Sequence, residues 1–104
     1  MEPIRVLIVD DHAGFRSGLR ALLAGESGIE VVDEAGTGEQ AVALVPRARP
    51  DVVLMDLAMP GMGGVAATEA ILRDHPHVGI LVLSMAGDDE SVLAALRAGA
   101  LGYV

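Results

Sequence analysis

A chain of 104 residues holds one domain at most, and 52% hydrophobic with 21% charged residues is the balance of a folded chain rather than a disordered one. Aromatics are only 2% and cysteine is absent, so the core is aliphatic, and disulfides and thiolate metal sites are excluded. The net charge of −8 argues against direct binding to nucleic acid or an anionic membrane, and no apolar run approaches the ~18 residues of a membrane span.

In chain order, short aliphatic runs rich in Val and Ile predict strands at Ile4–Val9, Ile29–Val32, Val52–Met55, Ile80–Leu83 and Leu101–Val104. Several are almost continuously apolar, as expected of parallel strands covered on both faces. Helical stripes lie between them. They are Phe15, Leu19, Leu22 and Leu23; then Ala41, Leu44, Val45 and Ala48 within 38–48; Val65, Thr68, Ile71 and Leu72 within 64–74; and Val92, Leu93 and Leu96 within 89–98. Pro46 is expected to weaken or end the second helix. The order βαβαβαβαβ predicts an α/β fold, a parallel five-stranded sheet with helices on both faces. The last apolar strand has no helix after it, so one face of the sheet is expected to expose aliphatic surface, and the natural protein to continue past Val104.

In doubly wound sheets, ligands gather beyond the carboxyl ends of the strands. The first strand runs into Asp10 and Asp11, the third into Asp56 and the fourth into Ser84. Any one of these aspartates alone reads as a helix cap or turn residue. Together they bring three carboxylates and a hydroxyl to one sheet edge. Two carboxylates ~5 Å apart at an effective dielectric of ~20 repel by ~3 kcal/mol. All seven cations are arginines, none adjacent in sequence to the three aspartates, and lysine is absent. A divalent ion is then the simplest counter-charge; an incomplete all-oxygen shell suits Mg²⁺, with Mn²⁺ as a substitute. His12 reads as an exposed helix-entry residue beside the acidic pair. His75 and His77, straddling Pro76, give only a weak metal signal.

These residues resemble the receiver domain of bacterial two-component response regulators. The motifs LIVDDH (Leu7–His12), LMDLAMPGMGG (Leu54–Gly64), LVLSM (Leu81–Met85) and ALRAGALGYV (Ala95–Val104) carry the resemblance across essentially the whole chain. The texture of DDH at 10–12, GLRALL at 18–23 and DEAGTGEQAV at 33–42 is similar to the NarL/FixJ group, whose members place a LuxR-type helix-turn-helix domain after the receiver. The resemblance implies a flavodoxin-like doubly wound sheet, here stopping after the fifth strand with the final helix absent. Residues 1–104 are then a receiver domain, with a DNA-binding output domain expected beyond the chain end.

By the same resemblance, Asp56 accepts a phosphoryl group from a sensor histidine kinase. Asp11 binds Mg²⁺ directly and Asp10 largely through water, with Asp56 and the Ala58 backbone carbonyl as further ligands. Ser84 bonds a phosphoryl oxygen and Tyr103 turns inward as the switch. This is a phosphoacceptor switch rather than an enzyme, cytoplasmic, self-associating or dimeric, and reaching DNA only through its output domain. Two departures stand out. Gly63 replaces an Asp common in the family, which removes a turn or capping carboxylate. The family lysine expected shortly after Tyr103 is missing, so this chain is expected to accept phosphate poorly or to switch incompletely. Two alternatives remain. One is a receiver fold kept as a phosphorylation-independent dimerisation module. The other is an aspartyl-phosphate hydrolase of the dehalogenase type, disfavoured because Asp10 and Asp11 are adjacent rather than two residues apart.

Overall fold

The aliphatic runs pair side by side into one parallel sheet. In this computed structural model, which describes residues 2–83 and 89–104, the chain forms β1 (Ile4–Val9), α1 (Ala13–Ala24), β2 (Ile29–Ala35), α2 (Gly38–Ala48), β3 (Val52–Asp56), α3 (Gly63–Asp74), β4 (Gly79–Leu83), α4 (Asp89–Ala98) and β5 (Gly102–Tyr103). The strand order is β2-β1-β3-β4-β5, all pairings parallel. That is the flavodoxin-like order, with its switch point between β1 and β3. No helix follows β5 among the described residues, and none of their helices is long and apolar enough to cross a membrane.

Side chains alternate across the sheet, and the two faces are packed unequally. Leu7, Val9, Val53, Met55, Ile80 and Val82 are fully buried on one face, in a core completed by Ala41 and Val45 of α2, Ala67 and Ile71 of α3 and Ala95 of α4. On the opposite face Ile8 is fully buried, but Leu54, Leu81 and Leu83 are only half-buried. The helix on this side, α1, has no buried residue; Phe15 is 49% and Leu22 68% exposed. The expected aliphatic surface is therefore present.

Three expectations are corrected. Helix α2 continues through Pro46 to Ala48, because the proline lies in the last turn, where a single intrahelical bond is lost. Arg49 then ends it in the left-handed region (φ 48°), its N–H donating to the Val45 carbonyl. Strand β2 runs three residues past Val32, taking in Asp33 and Glu34. Charges are tolerated there because β2 is an edge strand, and Glu34 is paired with Arg16 and Arg20 of α1. In α4, Leu93 is exposed and Ala95 takes the inner position, since the stripe through Val92 and Leu96 passes over residue 95 and not 93.

Helix α3 begins close against the end of β3. A Cβ at Gly64 would lie 2.7 Å from the Leu57 Cα and would also strike the Asp56 carbonyl oxygen. Gly63 just before it has φ +77°, and the helix start lacks a side-chain cap, as the replacement of the family carboxylate implies. Gly64→Ala should cost about 1–3 kcal/mol, because neither backbone can yield without shifting the other. A urea titration monitored by circular dichroism measures this, and an unchanged midpoint would mean that the loop relaxes freely.

Candidate metal and phosphoryl site

The parallel register of β1 and β3 builds the site. Val9 lies opposite Met55, so the next residues, Asp10 and Asp56, leave adjacent strands side by side. Both are buried, at 6% and 7% exposure, while Asp11 is exposed. Ligand atoms of Asp10, Asp11, His12 and Asp56 all lie within 4.8 Å of one another. The three sequence-predicted carboxylates therefore share one pocket.

Local hydrogen bonds hold them there. The Asp10 N–H donates to the Ala35 carbonyl (3.0 Å), and Asp10 Oδ1 accepts from the His12 N–H (2.8 Å). Asp56 Oδ1 accepts from the Ala58 N–H (3.0 Å), an Asx-type turn that fixes the carboxylate against its own loop. Arg16 donates Nη1 to the Asp10 backbone carbonyl and Nε to Glu34 Oε1. Its guanidinium thus braces the end of β1 without neutralising the carboxylates. Asp10 and Asp11 both face the His12 ring, whose Nδ1 lies 3.0 Å from Asp11 Oδ1 and 3.2 Å from Asp10 Oδ1.

Burial pushes the Asp56 carboxyl above its ordinary 3.8. The negative charges of Asp10 and Asp11 push the same way, and only the Ala58 N–H opposes them. Compact oxygen donors, mutual repulsion and room beside them fit a hard divalent cation. Asp10, His12, Asp56 and Ala58 line a cleft of about 680 Å³ that continues over Phe15, Leu83 and Val104.

Tyr103, on β5, is 60% exposed and does not line this cleft. Ser84 lies outside the described residues, directly after Leu83 at the end of β4. Sequence reading placed His12 as an exposed helix-entry residue beside the acidic pair, which it is, but did not give the contact of its ring with the carboxylates. It also missed Arg16, whose approach to Asp10 depends on how α1 packs against β2.

The family model for the response regulator receiver domain matches residues 6–104. This chain belongs to that family. Receiver domains similar to it include that of response regulator GacA from Pseudomonas viridiflava, 43% identical over 101 residues that cover 97% of this chain and 47% of the relative. The crystal structure of a LuxR-family two-component response regulator from Aurantimonas sp. SI85-9A1 superposes with a TM-score of 0.91 at 38% identity, over 98% of this chain and 73% of that one. The receiver domain of the putative response regulator NarL from Mycobacterium tuberculosis gives 0.89 at 36% identity, over 99% and 83%. The chain spans about half the length of the curated relatives it matches.

The raised Asp56 has a consequence for the stability of this receiver domain. Between 3.8 and the higher folded value, the folded state holds a proton that the unfolded chain has released. Stability therefore falls as pH rises through that interval and stays lower above it. Asp56→Asn removes the penalty. The variant should melt above the wild type at pH 7, with the gap closing as pH drops below the ordinary carboxylate range. Calorimetry at both pH values checks this, and a variant less stable at pH 7 would contradict it.

Proposed function

We propose that this receiver domain is a Mg²⁺-dependent phosphoacceptor in which Asp56 takes the phosphoryl group from a phosphohistidine of a sensor kinase. The observation that carries this reading is the convergence of Asp10, Asp11 and Asp56 within 4.8 Å at the β1/β3 switch point. In the transfer, an Asp56 carboxylate oxygen forms the new P–O bond as the P–N bond to histidine breaks, and the electron pair of that bond returns to the imidazole. The Ala58 N–H holds Oδ1 and so orients the carboxylate for attack. Asp10, Asp11, Asp56 and the Ala58 carbonyl would hold the ion, which when bound neutralises charge on the transferring oxygens.

In this reading Ser84 bonds a phosphoryl oxygen, and Tyr103, now exposed, turns inward. Phosphorylation adds about −1.5 to −2 charge, enough to shift the population between two receiver states. The shift acts on the surface formed by α4 and β5 and favours self-association. Relatives named transcriptional regulatory proteins, DegU and LiaR, are about twice as long as this chain. Their names and length support an output domain following residue 104 that binds DNA and would operate in the cytoplasm.

Beryllofluoride with Mg²⁺ tests the reading, because it mimics the acyl phosphate without needing a kinase. Amide chemical-shift changes are expected around Asp56, Ser84 and Tyr103, and should vanish in Asp56→Asn. Silence at all three, together with a dimer in sedimentation, would favour a phosphorylation-independent dimerisation module. With acetyl phosphate, slow and incomplete labelling is expected, since no lysine is available among the 104 residues to contact the phosphoryl group. Mass spectrometry reads this directly, and rapid, stable, stoichiometric labelling would show that the lysine is dispensable.

A further inference from the structure

The end of β1 depends on a donor that the sheet itself does not supply. Strand β2 stops at Ala35, whose carbonyl takes the Asp10 N–H at 3.0 Å, so the backbone ladder ends there. The Asp10 carbonyl takes its donor from Arg16 Nη1 of α1 instead. Long helical side chains lean back towards the N-terminus of their helix, and from residue 16 that direction leads to the strand end. The carbonyl belongs to the peptide joining Asp10 to Asp11. A peptide unit is planar, so fixing its oxygen fixes the relative directions in which the two carboxylates leave the chain.

The guanidinium is itself held. Arg16 Nε donates to Glu34 Oε1 (3.2 Å) near the end of β2, and Arg20 Nε takes the other Glu34 oxygen. The Arg16 side chain is only 20% exposed. It also borders the turn after β2, where a Cβ at Gly36 would stand 3.4 Å from Nη1. Among the described residues its ion pair is with Glu34 and not with the aspartates. A bare positive charge at this strand end would repel a divalent ion, whereas a brace favours one, because ligands already in place need no ordering on binding. Glu34 offsets the charge of Arg16 and leaves its geometry.

We propose that Arg16, tethered by Glu34, is a positioning residue that pre-sets the Asp10–Asp11 peptide for the divalent ion, whose affinity depends on the tether. The inference rests on the acidic pocket holding Mg²⁺, and adds to it a residue pair from α1 and β2 that lies outside the ligand set.

Magnesium titrations followed by amide chemical shifts test this on wild type, Arg16→Gln, Arg16→Lys, Glu34→Ala and the Arg16→Gln/Glu34→Ala double variant. Arg16→Gln should weaken Mg²⁺ binding by about tenfold, the scale of losing a partner behind a metal ligand. Arg16→Lys keeps the charge but cannot reach both oxygens with one nitrogen, and should lose about threefold or more. Glu34→Ala should behave similarly, and the double variant should be no weaker than Arg16→Gln alone, since the pair acts as one unit. Tighter binding in Arg16→Gln would show that charge repulsion dominates. Unchanged binding with a lowered melting temperature would leave only a structural brace. Either result overturns the proposal, as do full rescue by Arg16→Lys and additive losses in the double variant.

A metal-free readout separates the proposal from the magnesium reading. The Asp10 and His12 amides bond the Ala35 carbonyl and Asp10 Oδ1. Without metal, their hydrogen exchange should quicken by about tenfold in Arg16→Gln relative to the amides of β3 and β4. Wild type that binds no Mg²⁺ yet shows this local loosening in the variant upholds the placement of the aspartates and sinks the magnesium reading. Uniform acceleration, or none, overturns the proposal whether or not Mg²⁺ binds. Should Arg16→Gln fail to fold, Arg16→Lys and Glu34→Ala carry both readouts.

Discussion

The parallel pairing of β1 with β3 is the constraint on which the site depends. It sets Asp10 beside Asp56 at the ends of two central strands, with Asp11 one residue further on. Each carboxylate is tolerable alone, since backbone N–H groups satisfy Asp10 and Asp56. Repulsion among the three is not removed by those bonds, and burial of Asp56 makes it worse. The fold thus gathers negative charge in a fixed place. A cation relieves it and a phosphoryl group can exploit it, provided that cation is present.

Much of this was legible in the sequence, for definite reasons. Valine- and isoleucine-rich runs at regular intervals, each followed by a helical stripe, leave few topologies open, and the strand-end aspartates mark the ligand edge of such a sheet. The boundaries of β2 were less legible. Its last three residues, Asp33, Glu34 and Ala35, break the apolar run, and the charges are accommodated because Arg16 and Arg20 of α1 pair with Glu34. Leu93 was misplaced because a three-residue stripe leaves the facing direction of a short helix open by about 100°.

His12 shows where sequence reading stops. A histidine after two aspartates at a helix start has two ordinary destinations, solvent or the carboxylates. The choice depends on the backbone angle at the cap, which no residue pattern specifies. Arg16 is similar: its guanidinium reaches the Asp10 carbonyl only because α1 lies across β2. Both residues tie the first helix to the acidic pocket, one through the carboxylates and the other through the main chain.

The unequal burial of the two sheet faces gives the pocket a mechanical asymmetry. Behind it, the side chains under α2, α3 and α4 form one buried cluster, so displacement there would cost packing energy. In front, Leu54, Leu81 and Leu83 are only half-buried and Phe15 is 49% exposed. Asp10 and Asp56 stand between the two, bordered by Phe15 and Leu83 on the more open side. A charge arriving at Asp56 therefore meets a fully packed sheet face on one side and a partly open one on the other.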